Sequence, residues 1–142
     1  MAPTGTILPP PRNLTYVASL VGLYLSGQRQ GNHRQALAAA LRLVLLYPPR
    51  ANRLPRLTWI CRAVIEHRAV SRQVSEARRR YHLARCLDLL SEILNDYGRA
   101  GVAPILLRSA YQACSFAAVI LGELELSKKC KKRLKALETT QP

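Results

Sequence analysis

The chain has 142 residues, 49% of them apolar, and sets 22 Lys and Arg against eight Asp and Glu for a formal charge of +14. That length suits one domain with a real core, and so much apolar content excludes a wholly disordered basic tail. A pI near 10.5 makes polyanions the natural partners: RNA, DNA, an anionic membrane surface or an acidic protein.

Residues 1–12 read as an irregular, flexible tail, because Pro9, Pro10 and Pro11 lack amide donors and favour extended backbone. The stretch MAPTGTILPPP holds four Pro and no Arg, so it does not read as a cleavable amphipathic transit helix. From there on the pattern is helical. Asn13 caps a first predicted helix that ends before Gly27, with Leu14, Val17, Leu20, Val21 and Tyr24 on one face. Asn32 caps a second, with Leu37, Ala40, Leu41, Val44 and Leu45 inward, and Pro48 and Pro49 stop it. Pro55 suits the first turn of a third, which buries Trp59 or Ile60, Val64 and Ile65.

The rhythm Val70, Val74, Ala77, Tyr81, Ala84, Leu87, Leu94 predicts a long helix from about Ser71 to Tyr97, with Tyr81 and Ala77 toward the core and Gly98 as its stop. A single helix from Pro55 to Tyr97 would run roughly 65 Å, too long for so small a domain. Pro104 opens the next helix, through Leu106, Ala110, Ala113 and Ala117 to Leu121, where Gly122 kinks or ends it. Leu126, Cys130, Leu134 and Leu137 then make a narrow apolar stripe. No alternating strand pattern and no repeat period occurs. The expected fold is all-α: a compact bundle of five to six helices over 13–126, with a basic C-terminal helix or tail over 127–142.

The charge is sorted along this framework. Eight Arg and no acid precede Glu66, and all five Lys fall between Lys128 and Lys135. Two constellations follow. The first is arginine-rich: Arg68, Arg72 and Arg79 along one strip of a helix and Arg78, His82 and Arg85 along its neighbour, with Arg80 completing the set of six arginines. Guanidinium forks there suit paired hydrogen bonds to phosphates. Arg50, Arg53 and Arg56, and Arg29 with Arg34, are secondary candidates for the same surface. With one Trp, one Phe and six Tyr, a binder built on stacking platforms is disfavoured. RNA is the expected partner ahead of DNA, read by shape rather than sequence. The second constellation is Lys128, Lys129, Lys131, Lys132, Arg133 and Lys135, the short basic pattern read by nuclear import receptors. It points to a nuclear or nucleolar location, against the plainer reading of a solvated terminal helix.

Other chemistries find little footing. Cys61, Cys86, Cys114 and Cys130 show no C-x-x-C spacing and read as reduced, packed thiols. His82 and Cys86 are four apart, but further metal ligands would have to come from separate helices, so His82 reads as exposed and no metal or cofactor is expected. No catalytic motif is present, and the row Asp88, Glu92, Asp96 reads as ion-paired to Arg85 and Arg99, not as catalytic. The charge-free runs Asn13–Gln28 and Ser109–Gly122 fall short of the roughly 20 residues that cross a bilayer. The bias to Arg, with acids missing from nearly half the chain, resembles the composition of small accessory proteins of viruses and implies regulation, not metabolism. The alternative is a helical interaction module, possible homo-oligomer included, whose partner is an acidic protein or anionic membrane surface.

Overall fold

The computed structural model describes residues 14–140, which form six helices and, among these residues, no strand. They are α1 (Leu14–Arg29), α2 (His33–Leu46), α3 (Arg53–Ser71), α4 (Glu76–Asp96), α5 (Pro104–Leu121) and α6 (Leu124–Thr140). The all-α expectation holds. The tail expected at 1–12 and the cap at Asn13 lie outside the described residues.

α3 is the hub. It packs against α2, α4 and α5, while α1 leans on α2 and α6 on α5. A helix with three neighbours buries side chains nearly all round, and α3 does so with Leu57, Trp59, Ile60, Cys61, Val64, Glu66, His67 and Val70. Its sequence therefore lacks a clean apolar stripe.

The α1–α2 corner shows how local chemistry sets the path. α1 runs past Gly27 to Arg29, beyond its expected end, because Gly27 serves close approach and not termination. A Cβ there would lie 2.8 Å from both the Ala36 nitrogen and the Asn32 oxygen. Gly31 then takes φ +70°, and the Asn32 carboxamide oxygen accepts from the Gln35 amide at 3.2 Å. Leu45, expected inside, is 80% exposed.

Two helices, not one, cover 55–97, and the break falls at 72–75, later than the sequence rhythm indicated. α3 continues to Ser71 because Val70 and Ser71 are themselves buried. Its last turn tightens as the Arg72 amide donates to the Ala69 carbonyl and the Gln73 amide to the Val70 carbonyl, and Ser75 is extended as the cap of α4. Folding back there brings the Cys86 thiol within 3.5 Å of the Val64 carbonyl and seals Leu83, Cys86, Leu90 and Ile93 against α3 and α5. Each such side chain contributes roughly 1.5–3 kcal/mol by leaving water.

The phase of α4 differs from the sequence reading. Ala77, Tyr81 and Ala84 face solvent, Tyr81 at 59% exposure, and the buried stripe is Leu83, Cys86, Leu90, Ile93 and Asp96. Both stripes satisfy helical spacing. The second contains the larger aliphatic residues, and their burial decides between them.

Pro104 is the first residue of α5, and Gly122 at φ +78° ends it. α5 has the length and apolarity of a short membrane span, with mean hydropathy 1.4 over 18 residues, and here serves as a core element between α3, α4 and α6. α6 docks on it through Cys130, Leu134 and Leu137, and the Ser115 and Ser127 hydroxyls pair at 3.3 Å. All four cysteines are reduced and buried. Burial pushes the Cys61 and Cys86 thiols up to about 12, which leaves them poor nucleophiles.

Candidate nucleic-acid interface

The six arginines singled out in the sequence lie on either side of the corner where α3 hands over to α4. Arg68 and Arg72 close α3, and Arg78, Arg79, Arg80 and Arg85 follow on the first three turns of α4. Because the chain breaks at 72–75, they do not form two strips of one helix. They flank a bend instead. Arg72, Arg78, Arg80 and Arg85 are exposed, while Arg68 and Arg79 are half-buried.

Arg34 joins them from α2. Together with Arg78 and His82 it borders a shallow depression of about 310 Å3 over Leu37, Leu41 and Val70. On the far side of the bend, Arg68 and Arg72 border a second hollow of about 230 Å3 with Ser109 and Gln112. Arg68 lies over the Phe116 ring at 4.4 Å, and its Nε is buried without an acceptor. Burial, then the neighbouring Arg72, lowers its pKa from the usual guanidinium value. A cation desolvated this way, with no carboxylate beside it, is stabilised by an incoming anion.

Tyr81 stands on the same outward face, three residues after Arg78 and four before Arg85. Its expected place in the core kept it out of the candidate set. That spacing was visible in the sequence, since a residue flanked by Arg at i−3 and i+4 shares the arginine face.

The corner is cationic because the acids are engaged elsewhere. Glu66 does not dilute it: this side chain is buried, accepting from Gln28 at 3.0 Å and pairing with His33 at 2.7 Å across α1 and α2. Glu92 takes a two-pronged bond from Arg56, at 2.9 and 2.7 Å, and Asp96 binds Arg53 at 2.6 Å and the Ala100 amide at 2.9 Å. Only Asp88 of that row faces a corner arginine, Arg85, at 2.8 Å. Arg99, expected as a partner of this row, lies over the Tyr97 ring at 5.6 Å instead.

Arg53 and Arg56 therefore do not extend the basic surface. Arg56 also donates to the Val44 and Tyr47 carbonyls, at 3.1 Å each, and so ties the end of α2 to α3 and α4. Its hydrogen bond to Glu92 holds that carboxyl below the usual range.

The basic run of α6 divides between two faces. Cys130 is buried against α5, and Arg133 is held by the Leu94 carbonyl at 3.0 Å, the Tyr111 hydroxyl at 3.3 Å and the Tyr97 ring at 4.6 Å. At 100° per residue, Lys128, Lys131 and Lys135 point outward, whereas Lys129 and Lys132 point toward α4.

Beneath the corner, His67 and His82 share a 2.9 Å contact between their Nδ1 atoms. His82 is half-buried in this pair, not the exposed residue the sequence indicated. Burial, then His82 and Arg85, pushes the His67 pKa down to about 4, so His67 is neutral at pH 7. Among the described residues no three His, Cys, Asp or Glu groups are placed to share a metal ion. Compared with protein-family models, with curated proteins and with solved structures, the chain finds no match.

Proposed function

We propose that this protein binds RNA, and secondarily DNA, through phosphate contacts at the α3–α4 corner. The observation that carries the reading is the unequal use of charge. From Arg68 to Arg85 six arginines stand against one carboxylate, Glu76, while five of the eight acids bond elsewhere or pair with Arg85 or Lys128. Arg72, Arg78, Arg80 and Arg85, exposed around the bend, reach phosphates, with Arg34 beside Arg78. Tyr81 offers one ring on which a base of a single-stranded segment stacks, worth roughly 1–3 kcal/mol. Contacts of this kind discriminate strand form more than sequence.

The outward lysines of α6 serve nuclear import or add affinity as a regulatory protein would need. Truncating α6 would uncover the core around Cys130, so the test of import is a reporter fusion carrying Lys128→Gln, Lys131→Gln and Lys135→Gln.

A second reading has its own support. α1 rests on α2 and leaves Tyr16 and Leu23, two turns apart on one flank, more than two-fifths exposed, apolar surface suited to an oligomer or a membrane surface. One titration separates the two readings: RNA, double-stranded DNA and anionic liposomes compared in the same buffer. Retention of liposomes without nucleic acid would replace the first reading by the second.

A further inference from the structure

Away from the arginine corner, a groove of about 720 Å3 runs between α4 and α6 and is open to solvent. Both helices pack on α5, and Arg133 bridges them at one end. The floor is aliphatic: Leu87, Leu90 and Leu94 from α4, at i, i+3 and i+7, face Leu126 from α6. Leu87, Leu94 and Leu126 are only half-buried, so apolar surface is left uncovered along roughly 10–15 Å, two to three helical turns.

The rim is cationic. Lys129, Lys132 and Arg133 line it, and no Asp or Glu does. Arg133 is fixed by its bonds to Leu94 and Tyr111, but Lys129 and Lys132 are exposed and enter no ion pair among the described residues. These two lysines stand one turn apart and so match carboxylates repeated along a helix better than a single anionic headgroup. Ser91 and Asn95 on the α4 bank add hydrogen-bonding groups spread along the groove. A second copy of this chain is a poor occupant, because three of its eight carboxylates are locked in bonds between helices.

We infer that the α4–α6 groove receives an amphipathic helix with an acidic flank, supplied by a partner protein. Its apolar anchors lie on Leu87, Leu94 and Leu126 and its carboxylates meet Lys129 and Lys132. This is the helix-in-groove mode, with electrostatics setting orientation and rate of encounter. It is separate from phosphate binding at the corner and does not depend on it.

The test uses the full chain and a fluorescent peptide of about 18 residues with Leu at i, i+3 and i+7 flanked by Glu, read by anisotropy near 150 mM salt. The control peptide has the same composition with the leucines scattered round the helix. The patterned peptide should bind about tenfold tighter than the scattered one. Lys129→Glu with Lys132→Glu should weaken it by about tenfold or more, and Leu94→Glu likewise, with circular dichroism unchanged. Lys128→Glu with Lys131→Glu, on the outer face, should change it by less than about threefold. No binding of the patterned peptide, equal binding of the scattered one, or equal loss from both lysine pairs would overturn the inference. So would phosphatidylglycerol vesicles that bind through Lys129 and Lys132 when the peptide does not.

Discussion

The arginines of α3 and those of α4 are the same residue type put to opposite uses. On α3, Arg53 and Arg56 reach carboxylates of α4, and Arg62 lies over Trp59 at 4.6 Å and Tyr24 at 5.7 Å. On the first turns of α4, Arg78 and Arg80 are exposed and enter none of the ion pairs among the described residues. The difference lies in position. α3 has neighbours on three sides, so its long cationic side chains lie across other helices and meet their acids, carbonyls and rings. The outer face of α4 has no neighbour. Charge count ranks the two segments by number alone, whereas the fold separates cations that hold the bundle together from cations left exposed on its surface.

Substitutions break or sharpen this contrast. The largest effect on stability should come from Arg56→Ala, which orphans Glu92 and the Val44 and Tyr47 carbonyls. We expect a loss of about 3 kcal/mol, or roughly 10 °C in melting temperature. A melting temperature within about 2 °C of wild type would remove Arg56 from the structural set.

Next comes pH, through His67 at the junction of the two helices. The unfolded side chain takes a proton near 6.5 and the folded one only near 4. Between these values the unfolded state binds more protons, so stability rises with pH across the window and is lost as pH falls through it. The loss should reach about 2–3 kcal/mol by pH 4. Denaturant unfolding of wild type and His67→Phe from pH 7 to 4 measures it, and the variant should show a flatter profile. Parallel profiles would assign the acid sensitivity to other groups.

Arg62→Ala should cost about 1 kcal/mol, through the two rings it covers. Arg78→Ala and Arg80→Ala should be smallest, within about 0.5 kcal/mol in chemical denaturation, as for surface positions without partners. Losses of 2 kcal/mol or more there would erase the distinction between the two sets.

Much of this architecture was legible in the sequence, for stated reasons. Proline at the start of α5, glycine at its end and asparagine before α2 fix boundaries by backbone chemistry, and there the expectations hold. The stripe of α6 was readable because Lys fills every other face. The α3–α4 break was harder, since Ser75 and the tightened turn at Arg72 carry no proline or glycine. The phase of α4 was ambiguous because two stripes at helical spacing coexist and only contact with α3 and α5 selects one. That choice moved Tyr81 from the core to the arginine face. Likewise no local pattern shows that Glu92 and Asp96 bond to residues some 40 positions away, so Arg53 and Arg56 looked available when they are not.

The most direct test of the central claim is the salt dependence of RNA binding. The logarithm of the association constant for a single-stranded RNA, plotted against the logarithm of salt concentration between about 50 and 200 mM, should fall with a slope of roughly −3, near −0.7 per phosphate contacted. The variant carrying Arg72→Ala, Arg78→Ala, Arg80→Ala and Arg85→Ala should lose most of that slope while keeping the wild-type melting temperature. A flat salt dependence in the wild type, or an unchanged slope in the folded variant, would contradict the assignment of the α3–α4 corner to nucleic-acid phosphates.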